Sequence, residues 1–141
     1  MITAVHTLIY SDDPTATRAF LKDVLRWPFV AEPGRGDEGR RSGGDSGSQD
    51  PADWLIFSTG ASEMGVHPTE SGDYRSTRHH EIALICDDLE ATMAELTERG
   101  ATFSSGPQDM GFGLTAMVQV PGADDILIYE PRHVTAWDAD L

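Results

Sequence analysis

Residues 6–21 return, rewritten, 75 positions downstream as residues 81–96, and this repeat constrains the fold more than any other feature of the chain. At that single offset Asp12, Asp13, Ala16, Thr17, Ala19 and Leu21 are matched by Asp87, Asp88, Ala91, Thr92, Ala94 and Leu96. A short apolar run precedes each Asp-Asp pair, and apolar residues at helical spacing follow it. A unit of this length occurring twice describes two fused modules sharing one domain, because solenoid repeats are shorter and more numerous. The 141 residues suit one such domain, with both modules needed to bury its core.

The first module, residues 1–70, reads as a strand, a helix and three further strands. Residues 2–10 are apolar and β-branched, as a strand requires. Ser11, Asp12 and Asp13 then supply a helix N-cap, and Pro14 suits a first helical turn, where its missing N–H costs nothing. Ala16, Phe20 and Val24, with Leu21 and Leu25 beside them, give one buried face and predict a helix over 12–25. A short strand is expected over 27–31, and two more over 53–58 and 63–67, paired through a turn at Gly60. Residues 32–52 are rich in Gly, Ser, Asp and Arg without apolar periodicity, so a mobile loop is expected there.

The second module, residues 78–131, repeats the order. It has a strand over 80–86, then a helix over 87–99 opened by a capping box of Asp87 and Glu90 and closed by Gly100. Leu89, Met93 and Leu96 form its buried stripe. Strands over 101–104, 115–120 and 125–130 follow, the last two joined by a turn at 121–124. The fold class is therefore α+β, with two βαβββ modules in one domain.

Charge narrows the partners. With 10 basic against 24 acidic residues and a formal net charge of -14, the chain lacks the clustered cations that a phosphate backbone demands, so nucleic acid is excluded. No 18-residue apolar run and no signal-peptide pattern occurs, which excludes a membrane span and leaves a cytoplasmic protein as the expectation. The lone Cys86 reads as a buried thiol ahead of a helix and allows no disulfide.

Two βαβββ modules, a histidine in the first strand (His6) and a Glu81-Ile82-Ala83-Leu84 strand leading to Asp-Asp and a helix resemble the vicinal oxygen chelate superfamily. That superfamily includes glyoxalase I, the bleomycin-resistance proteins and the extradiol dioxygenases. The resemblance covers nearly the whole chain except 32–52 and the tail after residue 131. It implies modules paired into a curved sheet cup that holds a small organic ligand, commonly in a homodimer, and often a divalent metal such as Fe, Ni, Zn or Mn. The family's first metal position falls on His6 and its third on Glu81; its second falls on Glu63, or on Met64 with His67 nearby if the strand is read from its far end. His79 shares a side with Glu81 on an extended strand, and His80 faces the other way.

The fourth position departs from the pattern. Metal-binding relatives carry a glutamate there, whereas this chain has Leu127, which cannot ligate a cation. Alternation places Leu127 and Tyr129 on one strand face and Ile126, Ile128 and Glu130 on the other, so Glu130 is no substitute. Trp54, Phe57, Phe112 and Tyr129 are the candidate ligand-lining aromatics, and residues 109–114, with Phe112 between glycines, form either a lid over the cup or a plain hairpin turn. His133 lies beyond the core strands. Two readings follow from the resemblance. One is a metal-dependent isomerase, lyase or ring-cleaving dioxygenase acting on vicinal oxygens, with His6, Glu63 and Glu81 as ligands. The other, which Leu127 favours, is a metal-free protein that sequesters a drug or metabolite.

Overall fold

In the computed structural model the described residues are 7–36, 49–65, 68–78 and 80–138. They belong to two compact units, one built from Met1–Ser58 and Gln119–Asp125, the other from Thr59–Val118 and Ile126–Leu141. None of the described helices is long and apolar enough to cross a membrane.

In the first unit, helix α1 (Pro14–Ala19) starts where the Asp13 carboxylate accepts the Ala16 N–H at 3.1 Å and Pro14 fills the first turn. It runs on as one π-helical turn, Phe20–Val24, in which the Leu25 N–H reaches the Phe20 carbonyl at 3.1 Å. Thr17, Phe20 and Leu21 are the buried positions of this segment. The Thr17 hydroxyl donates to the Pro121 carbonyl at 2.6 Å, which satisfies a buried polar group. The Ser11 hydroxyl and the Asp12 N–H both donate to the Gly122 carbonyl, at 2.9 and 2.7 Å, so the turn at 121–124 is fastened to the start of α1.

Strand β1 (Phe29–Gly36) pairs antiparallel with β2 (Asp53–Phe57), setting Phe29 opposite Phe57 and Ala31 opposite Leu55. Leu55 is buried, and the Phe29 and Phe57 rings stack tilted at 5.7 Å. Three expectations for the first module are corrected here. Residues 32–36 are strand and not loop, because the ladder resumes at Gly36 opposite Asp53 after an irregularity; residues 37–48 of the expected loop lie outside the described residues. Among the described residues β2 is partnered by β1, which offers apolar residues on the matching face, and residues 63–65 have no regular structure; Val66 and His67 lie outside the described residues. Residues 7–10 of the expected first strand are likewise irregular, and 1–6 lie outside the described residues. The described residues thus resolve the helix and two strands of the first module, not a full βαβββ unit.

The second unit opens with a short hairpin, β3 (Glu70–Ser71) and β4 (Tyr74–Arg75). Its main body is a four-stranded sheet with a helix: β5 (Ala83–Ile85), α2 (Leu89–Glu98), β6 (Phe103–Asp109), β7 (Gly113–Val118) and β8 (Ile126–Pro131). The strand order is β5-β8-β7-β6, with β5 parallel to β8 and the other pairs antiparallel. Val118 and Leu89 are fully buried, and Ala116, Ile126, Ile128 and Leu96 nearly so, which identifies the sheet face that α2 covers.

Helix α2 is capped by Asp88, whose carboxylate accepts the Ala91 N–H at 3.0 Å. The expected capping box of Asp87 and Glu90 is therefore replaced by a one-sided cap from Asp88, since the residue three positions on, Ala91, has no polar side chain to answer it. A carboxylate from another element takes up part of its work, as Glu130 Oε1 accepts the Leu89 N–H at 3.0 Å. β6 also runs further than its composition suggested, to Asp109 instead of Ser104. Gly106 makes that possible: at φ 104° it lies so close to β7 that a Cβ would meet Ala116 at 2.6 Å.

Candidate ligand-binding site

The sheet face of the second unit turned away from α2 carries Leu127 and Tyr129 from β8, Thr115 and Met117 from β7, and Ala83 and Ile85 from β5. Leu127, Met117, Ile85 and Tyr129 are half-buried. At one end of this face the Tyr129 hydroxyl lies 3.4 Å from Glu63 Oε1 and 3.4 Å from His133 Nε2, and His133 Nε2 lies 3.5 Å from the same Glu63 oxygen. Glu63 Oε2 accepts the Ala136 N–H at 2.8 Å, at the start of a 3₁₀ turn, Ala136–Asp138. Phe112 meets Tyr129 edge-on at 5.4 Å and remains 46% exposed. Met64, Met110, Val134 and Trp137, each adjacent or next but one in sequence to a member of this group, are exposed as well.

Burial first, and the Glu63 carboxylate second, push the Tyr129 phenol above its ordinary range. The phenol therefore stays protonated and acts as a donor. Its contacts to Glu63 and His133 are at the long limit for a hydrogen bond, so a ligand oxygen entering the cluster displaces little. The group offers one O–H donor, one carboxylate, one imidazole and an apolar wall, which suits a small ligand with polar substituents on an apolar body.

The wall is fixed in place. Residues 109–112 form the β6–β7 turn, with Gly111 at φ 85°, so the hairpin expectation for this segment holds at the level of backbone. Arg132 grips Asp109 through two bonds of 2.6 and 2.8 Å, and its own N–H donates to the Phe112 carbonyl at 2.9 Å. The Arg132 guanidinium, followed by the Gly111 N–H, holds the Asp109 carboxyl below the usual range. Cys86 takes no part: burial pushes its thiol up, which keeps it protonated and unreactive.

Three of the residues singled out in the sequence, Glu63, Phe112 and Tyr129, thus meet. His133 joins them although the sequence places it beyond the core strands; the signal is its spacing, four residues after Tyr129 across Pro131. Trp54 and Phe57 belong to the first unit and occupy opposite faces of β2, Trp54 exposed beneath the Arg18 guanidinium at 5.2 Å and Phe57 against Phe29. They do not form one lining. Glu81 and His80 are exposed ahead of β5, and His6, His67 and His79 lie outside the described residues.

Residues 3–136 match the glyoxalase/bleomycin resistance protein/dioxygenase superfamily. The chain belongs to that superfamily. Among solved structures of the superfamily's fold, an antibiotic-binding protein from Streptomyces sp. CB03234 is similar at 21% identity and TM-score 0.58, covering 92% of this chain and 97% of its own. A lactoylglutathione lyase from Agrobacterium tumefaciens is similar at 16% identity and TM-score 0.50, over 92% and 95%. A superfamily member from Sphaerobacter thermophilus shares 24% identity at TM-score 0.49, over 92% and 98%. No curated protein sequence matches the chain.

Many superfamily members hold a metal, so its fit matters. Among the described residues no three His, Cys, Asp or Glu side chains come together in a group able to hold an ion. Leu127 supplies no donor, and Glu63 Oε2 already accepts the Ala136 N–H. The described residues do not assemble a metal site of their own.

Proposed function

We propose that this superfamily member binds a small organic molecule on the open face of the β5-β8-β7-β6 sheet, at Glu63, Tyr129 and His133, without a metal ion. The observation that carries this reading is the engagement of Glu63 by Tyr129, His133 and the Ala136 N–H, with a leucine on the same face of β8 as Tyr129 where metal-binding relatives place a carboxylate. Tyr129 donates to a ligand oxygen, Glu63 accepts from a ligand donor, and Phe112 packs against the apolar body. The fold admits such a role, since the similar Streptomyces protein is an antibiotic-binding protein. The cup formed by pairing modules 1–70 and 78–131, and a homodimer built on it, belong to the same reading.

A panel of planar aromatic compounds, screened by thermal shift, tests it. Hits should stabilise the protein equally before and after dialysis against a strong chelator, and Tyr129→Phe should lower their affinity about tenfold through loss of one hydrogen-bond donor. Stoichiometric metal in untagged protein, lost on His6→Ala together with binding, would replace this reading with the metalloenzyme one. In that case His6, Glu63 and Glu81 would hold the ion, and polarising two neighbouring substrate oxygens would be the chemistry it supplies. The similarity to a lactoylglutathione lyase is what supports that second reading.

A further inference from the structure

A second site lies in the first unit, where the π-helical turn ends. An open cleft of about 520 Å³ is lined there by Lys22, Asp23, Arg26, Trp27, Phe29 and Gln49. Its size falls within the usual range for sites that take drug-sized molecules, about 300–1,000 Å³. Two cations against one carboxylate is an inversion for a chain with 10 basic and 24 acidic residues. Lys22 is neutralised by Asp23 at 2.7 Å, whereas Arg26 forms no ion pair with any described residue. The guanidinium is therefore the charge left over for a ligand.

Two backbone irregularities converge on the same place. The Phe20–Val24 turn is π-helical, a conformation that recurs at functional sites, and Arg26 sits at φ 56°, in the left-handed region. A helix end in that conformation normally takes glycine or asparagine, which have little or no steric penalty there. Arginine in this position trades conformational ease for a cation on the same cleft as Trp27 and Phe29. Strained residues that persist in this way cluster at binding sites. The Trp27 N–H donates to the Leu21 carbonyl at 3.2 Å, which sets the indole's backbone at the cleft wall.

We infer that this cleft is a binding site for a small aromatic carboxylate, with Arg26 holding the carboxylate through paired N–H bonds and Trp27 and Phe29 flanking the ring. It draws on none of the residues of the Glu63–Tyr129–His133 site. The probe is 2-naphthoate, with 2-naphthalenemethanol as its neutral counterpart, each titrated by calorimetry against wild type, Arg26→Gly and Tyr129→Phe. The acid should bind about tenfold or more tightly than the alcohol, as a charge-assisted bond requires. Arg26→Gly should raise the melting temperature, by relieving the left-handed backbone, while removing that preference; Tyr129→Phe should leave it intact. Equal binding of acid and alcohol, an Arg26→Gly variant that still prefers the acid, or no binding of the acid would each overturn the assignment.

Discussion

Tyr129 is the residue on which the candidate site turns, and its proton is the most direct handle on it. Because the folded phenol titrates above its ordinary value of about 10, the neutral form is favoured by folding. The stability this contributes is fully present below that value and is lost as pH rises through the folded one. Glu63→Gln removes the second cause of the shift and leaves the first, burial, so phenolate absorbance should titrate lower than in wild type yet stay above a model peptide; no change on Glu63→Gln would mean the two groups do not interact. Gly122 gives a second residue-level test. It holds φ 81°, and a Cβ there would meet Ser11 Oγ at 2.6 Å and the Asp13 carbonyl at 2.8 Å, so Gly122→Ala should cost about 1–3 kcal/mol in denaturant unfolding. Sequence reasoning reached Glu63, Phe112 and Tyr129 through residue type and strand alternation. It assigned Glu63 to a metal because partners such as the Ala136 N–H are made by backbone far along the chain, and it passed over His133 because no periodicity extends past Pro131.

Elements show the repeat more plainly than residues do. α1 starts at Pro14 and α2 at Leu89, 75 positions apart, and each is capped by the second aspartate of its pair, through an N–H three residues on, at 3.1 and 3.0 Å. Equivalent caps predict equivalent losses: Asp13→Ala and Asp88→Ala should each destabilise by about 1 kcal/mol, while Asp12→Ala and Asp87→Ala should cost markedly less. Urea midpoints for the four variants check this, and equal losses within either pair would assign the cap to the wrong aspartate. The helices and β5, β7 and β8 were legible because local apolar spacing and turn residues specify them. β6 and the end of β1 were not, since Ser104, Ser105 and Gln108 in one and the segment after Ala31 in the other are polar, and are ordered by a neighbouring strand instead of by burial. The partner of β2 is hidden from the sequence for a related reason: β1 is reached only across the low-complexity stretch that begins after Gly36.

At the scale of the whole molecule, a net charge of -14 means that the folded chain repels itself, and added salt screens that repulsion within a Debye length of about 10 Å at 0.1 M. The melting temperature should rise with sodium chloride between low and moderate concentration, as scanning calorimetry would record; a fall would show that attractive pairs such as Asp109–Arg132 outweigh the repulsion. The second unit's architecture was largely readable because its strands and helix follow one another in sequence. The sheet order β5-β8-β7-β6 was not, and it bears on how the chain is made. The strand synthesised last, Ile126–Pro131, is an inner one, and it alone joins β5 to the rest of the sheet. A nascent chain emerging from the ribosome only as far as residue 125 has α2 and the β6–β7 hairpin but no Ile126 or Ile128 to bury and no Glu130 to meet the start of α2. The sheet must wait for its final strand, so a prematurely terminated chain exposes the apolar edge of β7 and is a substrate for chaperones and proteases instead of a smaller working protein.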